Sequence, residues 1–222
     1  MIQVVGIGAG GHAKVVLDIL RLVNAYHVVG LLDPGCVGES VSGVPVLGGD
    51  ELLPRLRAES VASAFIGVGG VGDNALRVRL FEQVQAAGFT FINAIHPASV
   101  LAPSVQLGQG ITIMAGAIIN PDTRIGDNVI INTGAIVEHD CEIAAHAHIS
   151  PGAVLCGGVR VGIGAYVGAG ATVRQYVTVG ERALVGAGAV VIKDVPPGVV
   201  VLGVPARIRP APGRTVHGEG AR

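Results

Sequence analysis

Residues 111–156 read ITIMAGAIINPDTRIGDNVIINTGAIVEHDCEIAAHAHISPGAVLC, and every sixth residue from Ile113 to Leu155 is aliphatic. The rule extends both ways, from Ile95 to Val191, over seventeen positions without a break. A second series, four residues after each of these, is nearly all small or β-branched and runs from Ser99 through Ala117, Cys141 and Ala171 to Val195. An amphipathic helix repeats its apolar residues at about 3.6 and a hairpin needs longer strands between turns, so a strict six fits neither. It fits a parallel β-helix. In such a coil a small residue at i−2 and the aliphatic at i share one short strand and point inward, while i+1 to i+3 form a corner. Gly, Asn and Asp accept the unusual φ of corners, and Gly126, Asn128, Gly134, Gly152, Gly164, Gly170 and Gly188 fall there. A repeat this long is not a low-complexity accident.

The rest of the composition agrees with a folded, compact chain. With 222 residues, half of them apolar, it forms one large domain or two small ones. Mean hydropathy is high at +0.61, yet polar residues or Gly interrupt each apolar stretch well before the ~18 residues a membrane span requires. A formal charge of −1 offers no basic field for nucleic-acid phosphates, and 4 Phe, 3 Tyr and no Trp give few platforms for bases. Neither a membrane nor a nucleic acid is an expected partner. Three Cys at dissimilar spacings make no complete disulfide set, and MIQVVGIGAGG lacks the basic n-region of a signal peptide. A cytoplasmic protein is expected.

Upstream of the repeat the pattern changes. Residues 2–7 read as a buried strand, followed by Gly8-Ala9-Gly10-Gly11-His12 and a helical run from Ala13 to Arg21. Strands over 28–32, 64–68 and 89–92 and a helix over 73–85 complete a small parallel α/β domain. Gly6, Gly8 and Gly11 satisfy G-x-G-x-x-G, with Asp33 beyond a second strand. The motif supplies a tight turn whose N–H groups and helix N-terminus face phosphates, which any nucleotide diphosphate can use. Residues 1–92 hold one mononucleotide-binding half, so a nucleotide-linked sugar fits better than NAD; another anion and a purely structural turn are the other readings. His12 either donates to a phosphate or faces solvent at the helix start. Asp33 either accepts from a ribose or base, or starts the Asp33-Pro34-Gly35 turn.

GIGAGGHAKVV, the strand ending at Asp33, GVPVLGGDELL, GDNALR, IHP at 95–97, the hexapeptide array and GVPAR at 203–207 together resemble one family. It is the bacterial sugar acyltransferases that include UDP-4-amino-sugar N-acetyltransferases and sialic acid O-acetyltransferases. The resemblance implies a Rossmann-like nucleotide-sugar-binding half domain over 1–92 and a left-handed parallel β-helix over 93–208; residues 209–222 lie beyond its pattern and read as a flexible tail. It also implies acetyl-CoA as co-substrate; a homotrimer is expected because a triangular prism exposes flat faces and only 14% of the residues are charged, as in the family, and no metal is expected.

The family's general base and its acidic neighbour correspond to His139 and Asp140 in Val137-Glu138-His139-Asp140-Cys141. A neutral imidazole suits deprotonation of an amine or hydroxyl near neutral pH, and an adjacent carboxylate orients its tautomer. With three hexapeptides per coil, Gly157 stacks on His139, and the matching amide of the family is assigned to the oxyanion. His148 matches a histidine that contacts the acyl donor, and Asn132 an asparagine near the accepting sugar group. Gly168-Ala169 and Gly186-Ala187 match backbone contacts to acetyl-CoA, with GVPAR near its adenine. The glycine loop (Gly10, Gly11, His12) with Asp33 and Pro34 would hold the nucleotide sugar. His146 has no counterpart and reads as a surface residue.

Sugar O-acetylation is the runner-up activity. From other classes, a γ-type carbonic anhydrase would use His139, His146 and His148 as zinc ligands, and a non-catalytic binding protein would leave the His139-Asp140 pair without a purpose.

Overall fold

The computed structural model describes residues 1–209; the expected tail falls, from residue 210 on, outside the described residues. The chain opens with β1 (Ile2–Ile7), α1 (Gly11–Val23) and β2 (Tyr26–Leu32). A short antiparallel pair, β3 (Ser40–Val41) and β4 (Val44–Gly48), follows, then α2 (Leu53–Ala58), β5 (Ser63–Ile66), α3 (Ala75–Ala86) and β6 (Thr90–Phe91). The sheet order is β3-β4-β2-β1-β5-β6, parallel apart from the β3–β4 pair. β1 is its centre, and the last four residues of β1 are buried because helices cover both faces. α1 buries Ala13, Val16, Leu17, Ile19 and Leu20, the stripe its 3.6-residue period dictates, and ends at Asn24 in the left-handed conformation (φ 54).

The expected helix over 73–85 begins later, at Ala75, because the Asp73 carboxylate accepts the Ala75 N–H at 2.8 Å from outside the helix. The β3–β4 pair and α2 were not expected. Pro45 inside β4 argues against a strand, but at this sheet margin Pro is tolerated.

From Ala94 the chain winds into the coil, in strands of two residues that pair with the strand 18 residues on, as Ile113 does with Ile131 and Ile119 with Val137. Three sheets result, the faces of a triangular prism, parallel except for one antiparallel pair at the end of the coil. Both inward series of the hexapeptide meet in one column of buried residues, from Ile111 through Ala135, Cys141 and Ala165 to Val201. The corners correct one detail of the sequence reading. The left-handed residue is always the third after the inward aliphatic, at Gly116, Asn128, Gly134, Asp140, His146 and Gly152 among others. Gly126, the first corner residue, has an ordinary φ; a Cβ there would lie 2.7 Å from the Ala145 nitrogen of the next coil, so its role is close stacking.

The outward residues give each face a character. Thr112, Ile130, His148, Tyr166 and Leu184 line a face that meets the N-terminal domain, here the domain face. Val100, Ile118, Ile136, Val154, Thr172 and Val190 line an apolar face, and Gln106, Arg124, Glu142, Arg160 and Thr178 a charged one. The two domains are joined by α3. Asn74 Nδ2 donates to the His146 carbonyl at 3.0 Å, and the Phe81 ring meets the His146 ring edge-on at 5.6 Å. His146 is therefore a junction residue and not the surface residue the sequence suggested. Among the described residues no helix is long and apolar enough to cross a membrane.

Candidate active site

β1 and β5 are neighbours, but β1 crosses through α1 to β2 on one side while β5 crosses through α3 to β6 on the other. Such a reversal opens a crevice beyond the strand ends, the place where α/β sheets take ligands. Here the residue 8–12 loop and the residue 67–74 loop bound it. Gly8 holds a φ of +94, and a Cβ on Gly67 would lie 2.9 Å from that of Ala13, so both glycines are needed for the approach of the two loops. Gly10 and Gly11 differ, since an added Cβ would meet nothing within 4 Å. Gly10 caps α1 without a side-chain hydrogen bond, so the first N–H groups of the helix face open space, where an anion is favoured.

The two local readings of Asp33 resolve toward the turn. Its Oδ2 accepts from Ala9 N–H and its Oδ1 from Gly35 N–H, both at 3.0 Å, so the carboxylate ties the glycine loop to the exposed Pro34 turn. His12 is not solvent-facing. Its Nε2 lies 3.4 Å from Arg77 Nη1, and burial, then the Arg77 charge and His148, lower its pKa to about 3. It is a neutral imidazole at physiological pH.

A second constellation stands on the edge between the apolar and charged faces. His139 and Asp140 are half or more exposed there (side chains 54% and 63%), and His139 Nδ1 lies 2.7 Å from Asp140 Oδ2. The left-handed φ of Asp140 (59) brings its short carboxylate back to the ring. That contact places the proton on Nδ1, frees Nε2 as acceptor and raises the pKa of His139. Gly157 lies one coil on, beneath the ring: a Cβ would be 2.7 Å from both Cε1 and Nε2 of His139. The main chain beside it is engaged, Gly158 N–H donating to the His139 carbonyl at 2.9 Å and the Gly157 carbonyl accepting from Tyr176 N–H at 3.0 Å, while the Gly157 N–H has no partner among the described residues. A base, its orienting carboxylate and a free amide donor thus converge on one spot, the elements of acyl transfer.

The remaining expected residues lie elsewhere on the prism. Asn132, Gly168, Ala169, Gly186 and Ala187 follow strands of the domain face and occupy its edge with the apolar face. A Cβ on Gly168 would lie 2.6 Å from the Ala187 nitrogen, so that glycine serves coil stacking whatever else it does. His148 is buried on the domain face. Asn132 Oδ1 accepts from Thr133 N–H at 2.8 Å, which turns its Nδ2 to His148 Nε2 at 3.2 Å. Burial, then Arg77, lower the His148 pKa to about 4. GVPAR forms the turn between strands Val200–Leu202 and Arg207–Ile208, which pair antiparallel at the end of the coil. One chain therefore brings Asn132 and His148 together near the glycine loop and leaves His139, Asp140 and Gly157 on the edge opposite that face.

Sequence reasoning passed over Arg77 and the loop that carries Gly69 and Gly70. Arg77 was in view within GDNALR, and its signal is positional: it shares the buried stripe of α3 with Phe81 and Val84, where an apolar residue belongs.

A prism carrying a His–Asp pair over a free amide, joined to an α/β half domain with an open glycine loop, has the make-up of an acyltransferase of the hexapeptide-repeat class. Comparison with known proteins narrows this. The PglD N-terminal domain family matches residues 3–84, and the bacterial transferase hexapeptide family (six repeats) matches residues 122–157. A histidine-to-asparagine mutant of perosamine N-acetyltransferase from Caulobacter crescentus, solved with CoA and GDP-perosamine, is 46% identical over 93% of this chain and 96% of that one, with a TM-score of 0.89. The acetyltransferase domain of PglB from Neisseria gonorrhoeae is 39% identical over 94% and 100% of the two chains, with a TM-score of 0.88. The UDP-N-acetylbacillosamine N-acetyltransferase of Bacillus subtilis is 38% identical over 109 residues, 49% of this chain and 50% of that protein. The chain thus spans about half the length of that curated relative, and its match to the uncharacterized protein L142 of Acanthamoeba polyphaga mimivirus covers 19% of the latter. The chain belongs to the PglD-type family of hexapeptide-repeat sugar acetyltransferases, and its coil has their left-handed sense.

Proposed function

We propose that this acetyltransferase moves the acetyl group of acetyl-CoA to the amine of a nucleotide-linked 4-amino sugar, by direct transfer with His139 as general base. The observation that carries this is the His139–Asp140 pair over the unpartnered Gly157 amide. His139 Nε2 removes a proton from the amine as nitrogen attacks the thioester carbonyl, and Gly157 N–H stabilises the oxyanion of the tetrahedral adduct. As the C–S bond breaks, the imidazolium returns its proton to the leaving thiolate. Asp140 holds Nδ1–H throughout. Cys141, buried in the coil with its thiol pKa pushed up to about 11 by burial, does not suit an acyl-enzyme route.

The similarity to a perosamine N-acetyltransferase over most of both chains supports a GDP-linked 4-amino-4,6-dideoxy sugar as acceptor. The test is a thiol-release assay with acetyl-CoA against GDP-, UDP- and dTDP-linked 4-amino sugars and free sialic acid. CoA release with GDP-perosamine well above the others is expected. Release only with sialic acid would convert the enzyme to an O-acetyltransferase, and release with none would end the reading.

The same reading includes a cytoplasmic homotrimer. Val100 (61% exposed) and Ile118 (36%) belong to a face with Ile136, Val154, Thr172 and Val190, apolar but for the threonine, that association would cover. A second copy would also bring the His139 edge to the Asn132–His148 group that a single chain keeps apart. Sedimentation equilibrium is expected to give three times the 22.3 kDa chain mass, and mixed trimers of His139→Ala and His148→Ala chains are expected to regain activity that neither parent has. A fully active monomer would refute both. The carbonic anhydrase alternative loses support because His146 is engaged with Asn128 at 3.0 Å and with Phe81, not offered to a neighbouring prism.

A further inference from the structure

Arg77 is 1% exposed and no carboxylate among the described residues reaches it, so there a cation is held in the interior by neutral acceptors. Nη1 donates to the carbonyls of Val68 at 2.7 Å and Ile66 at 3.1 Å, at the end of β5 and the start of the loop that follows. Nε and Nη2 reach across the domain boundary to the carbonyls of Asn128 and Gly110, each at 3.4 Å, at the same corner of successive coils. The guanidinium, always charged and planar, suits such a span of fixed acceptors. Its desolvation is a heavy cost that an apolar residue in the α3 stripe would avoid. Burial lowers the pKa of the guanidinium to about 9, a measure of that cost. The contact that neither domain needs for its own core is the one from Nη1 to His12 Nε2 at 3.4 Å.

We propose that Arg77 is a positioning residue for the nucleotide-sugar site: it fixes His12 in the Nδ1–H tautomer at the mouth of the glycine loop and locks that loop to the coil. Nη1 has two hydrogens for three neighbours, so the His12 contact is the longest branch of a shared donor; beside a cation that has no acceptor, His12 Nε2 turns its lone pair to Arg77 and carries its single proton on Nδ1. The Nδ1 side of the ring faces the residue 67–74 loop, a Cβ on Gly69 lying 3.8 Å from it. The positive charge alongside disfavours imidazolium, so His12 presents one directed neutral donor and not a diffuse charge. A ligand phosphate at the α1 N-terminus then meets helix amides and one oriented N–H, in a register set by the same residue that grips Gly110 and Asn128 of the coil. The nucleotide-sugar part of this inference rests on the function proposed above; the tautomer does not.

The test is nitrogen-15 NMR of histidine-labelled full chain without ligand, alongside steady-state kinetics. In the unaltered protein His12 is expected as the Nδ1–H form and neutral across pH 5–8. In Arg77→Met it is expected to shift to the Nε2–H form that free imidazole prefers, and in Arg77→Lys, which keeps a donor, to be partly retained. With GDP-perosamine as acceptor, Arg77→Met is expected to raise the KM for the sugar about tenfold while the KM for acetyl-CoA and kcat move less than about threefold. An Nε2–H or protonated His12 in the unaltered chain would overturn the proposal, whether or not Arg77→Met folds. So would an unchanged tautomer in a folded Arg77→Met, or equal losses for both substrates. Failure of every sugar to be acetylated would refute the acceptor and leave the tautomer result to decide the role of Arg77.

Discussion

Replacing His139 by alanine is expected to lower kcat by roughly 10²–10⁴, the usual worth of a positioned base, with the fold intact. The fold is safe because the side chain is 54% exposed on a prism edge and packs against no core residue. The KM values are expected to change little, since the ring contributes to the transition state more than to binding. Asp140→Asn separates the two parts of the pair. Asparagine can still hold the ring, so the loss is expected to be about tenfold, but it no longer favours imidazolium. Because the Asp140 hydrogen bond raises the pKa of His139, the neutral, competent base prevails only above that raised value. Without the carboxylate, the acid limb of kcat/KM is expected to move to lower pH. A limb that stays in place, or a His139→Ala enzyme within threefold of the unaltered one, would remove His139 from the role of base.

The prism was legible because its inward positions are restrictive: a side chain at i meets the stacked aliphatics of neighbouring coils, and i−2 takes small or β-branched residues, among them Thr123, whose hydroxyl is satisfied by the Glu138 carbonyl. Register followed from the same period, so that Gly157 under His139 could be placed from eighteen residues of spacing, the interval at which Ile113 pairs with Ile131. His148 is nine residues beyond His139, half a coil, which carries it from one edge of the prism to the opposite face. A His–Asp edge and an Asn–His face thus stand apart within one chain, the separation that the proposed trimer would bridge.

The α/β half was less legible. The β3–β4 pair is short and interrupted by Pro45, and what holds it is its place beside β2 at the sheet margin, a tertiary fact. Asp33 offered two chemistries that spacing could not separate, and the choice came from the Ala9 and Gly35 amides pointing at it. Arg77 shows the reverse case. A charge in an apolar helical stripe is visible in sequence, but its partners are five acceptors on four separate segments, and only the docking of the two domains assembles them.

Gly157→Ala is expected to lower kcat by about 10² without unfolding the coil. The backbone at Gly157 is not in the left-handed region, unlike its neighbour Gly158 (φ +67), so alanine is conformationally acceptable. The conflict is with the base. The new methyl would sit 2.7 Å from Cε1 and Nε2 of His139, a separation that atoms do not hold, and the ring, free on its solvent side, must swing away. A swing of about 1 Å suffices to spoil proton transfer. The melting temperature is expected to change little because no core contact is lost. Combining the substitution with His139→Ala distinguishes its possible causes. If the methyl acts by displacing the base, Gly157→Ala has almost no effect once the ring is gone, since the amide N–H remains in alanine. A second drop of similar size in the His139→Ala background would instead show the methyl obstructing the thioester itself. Full activity of the single Gly157→Ala enzyme would mean that the base does not work from its place above Gly157, and the mechanism proposed here would fall with that geometry.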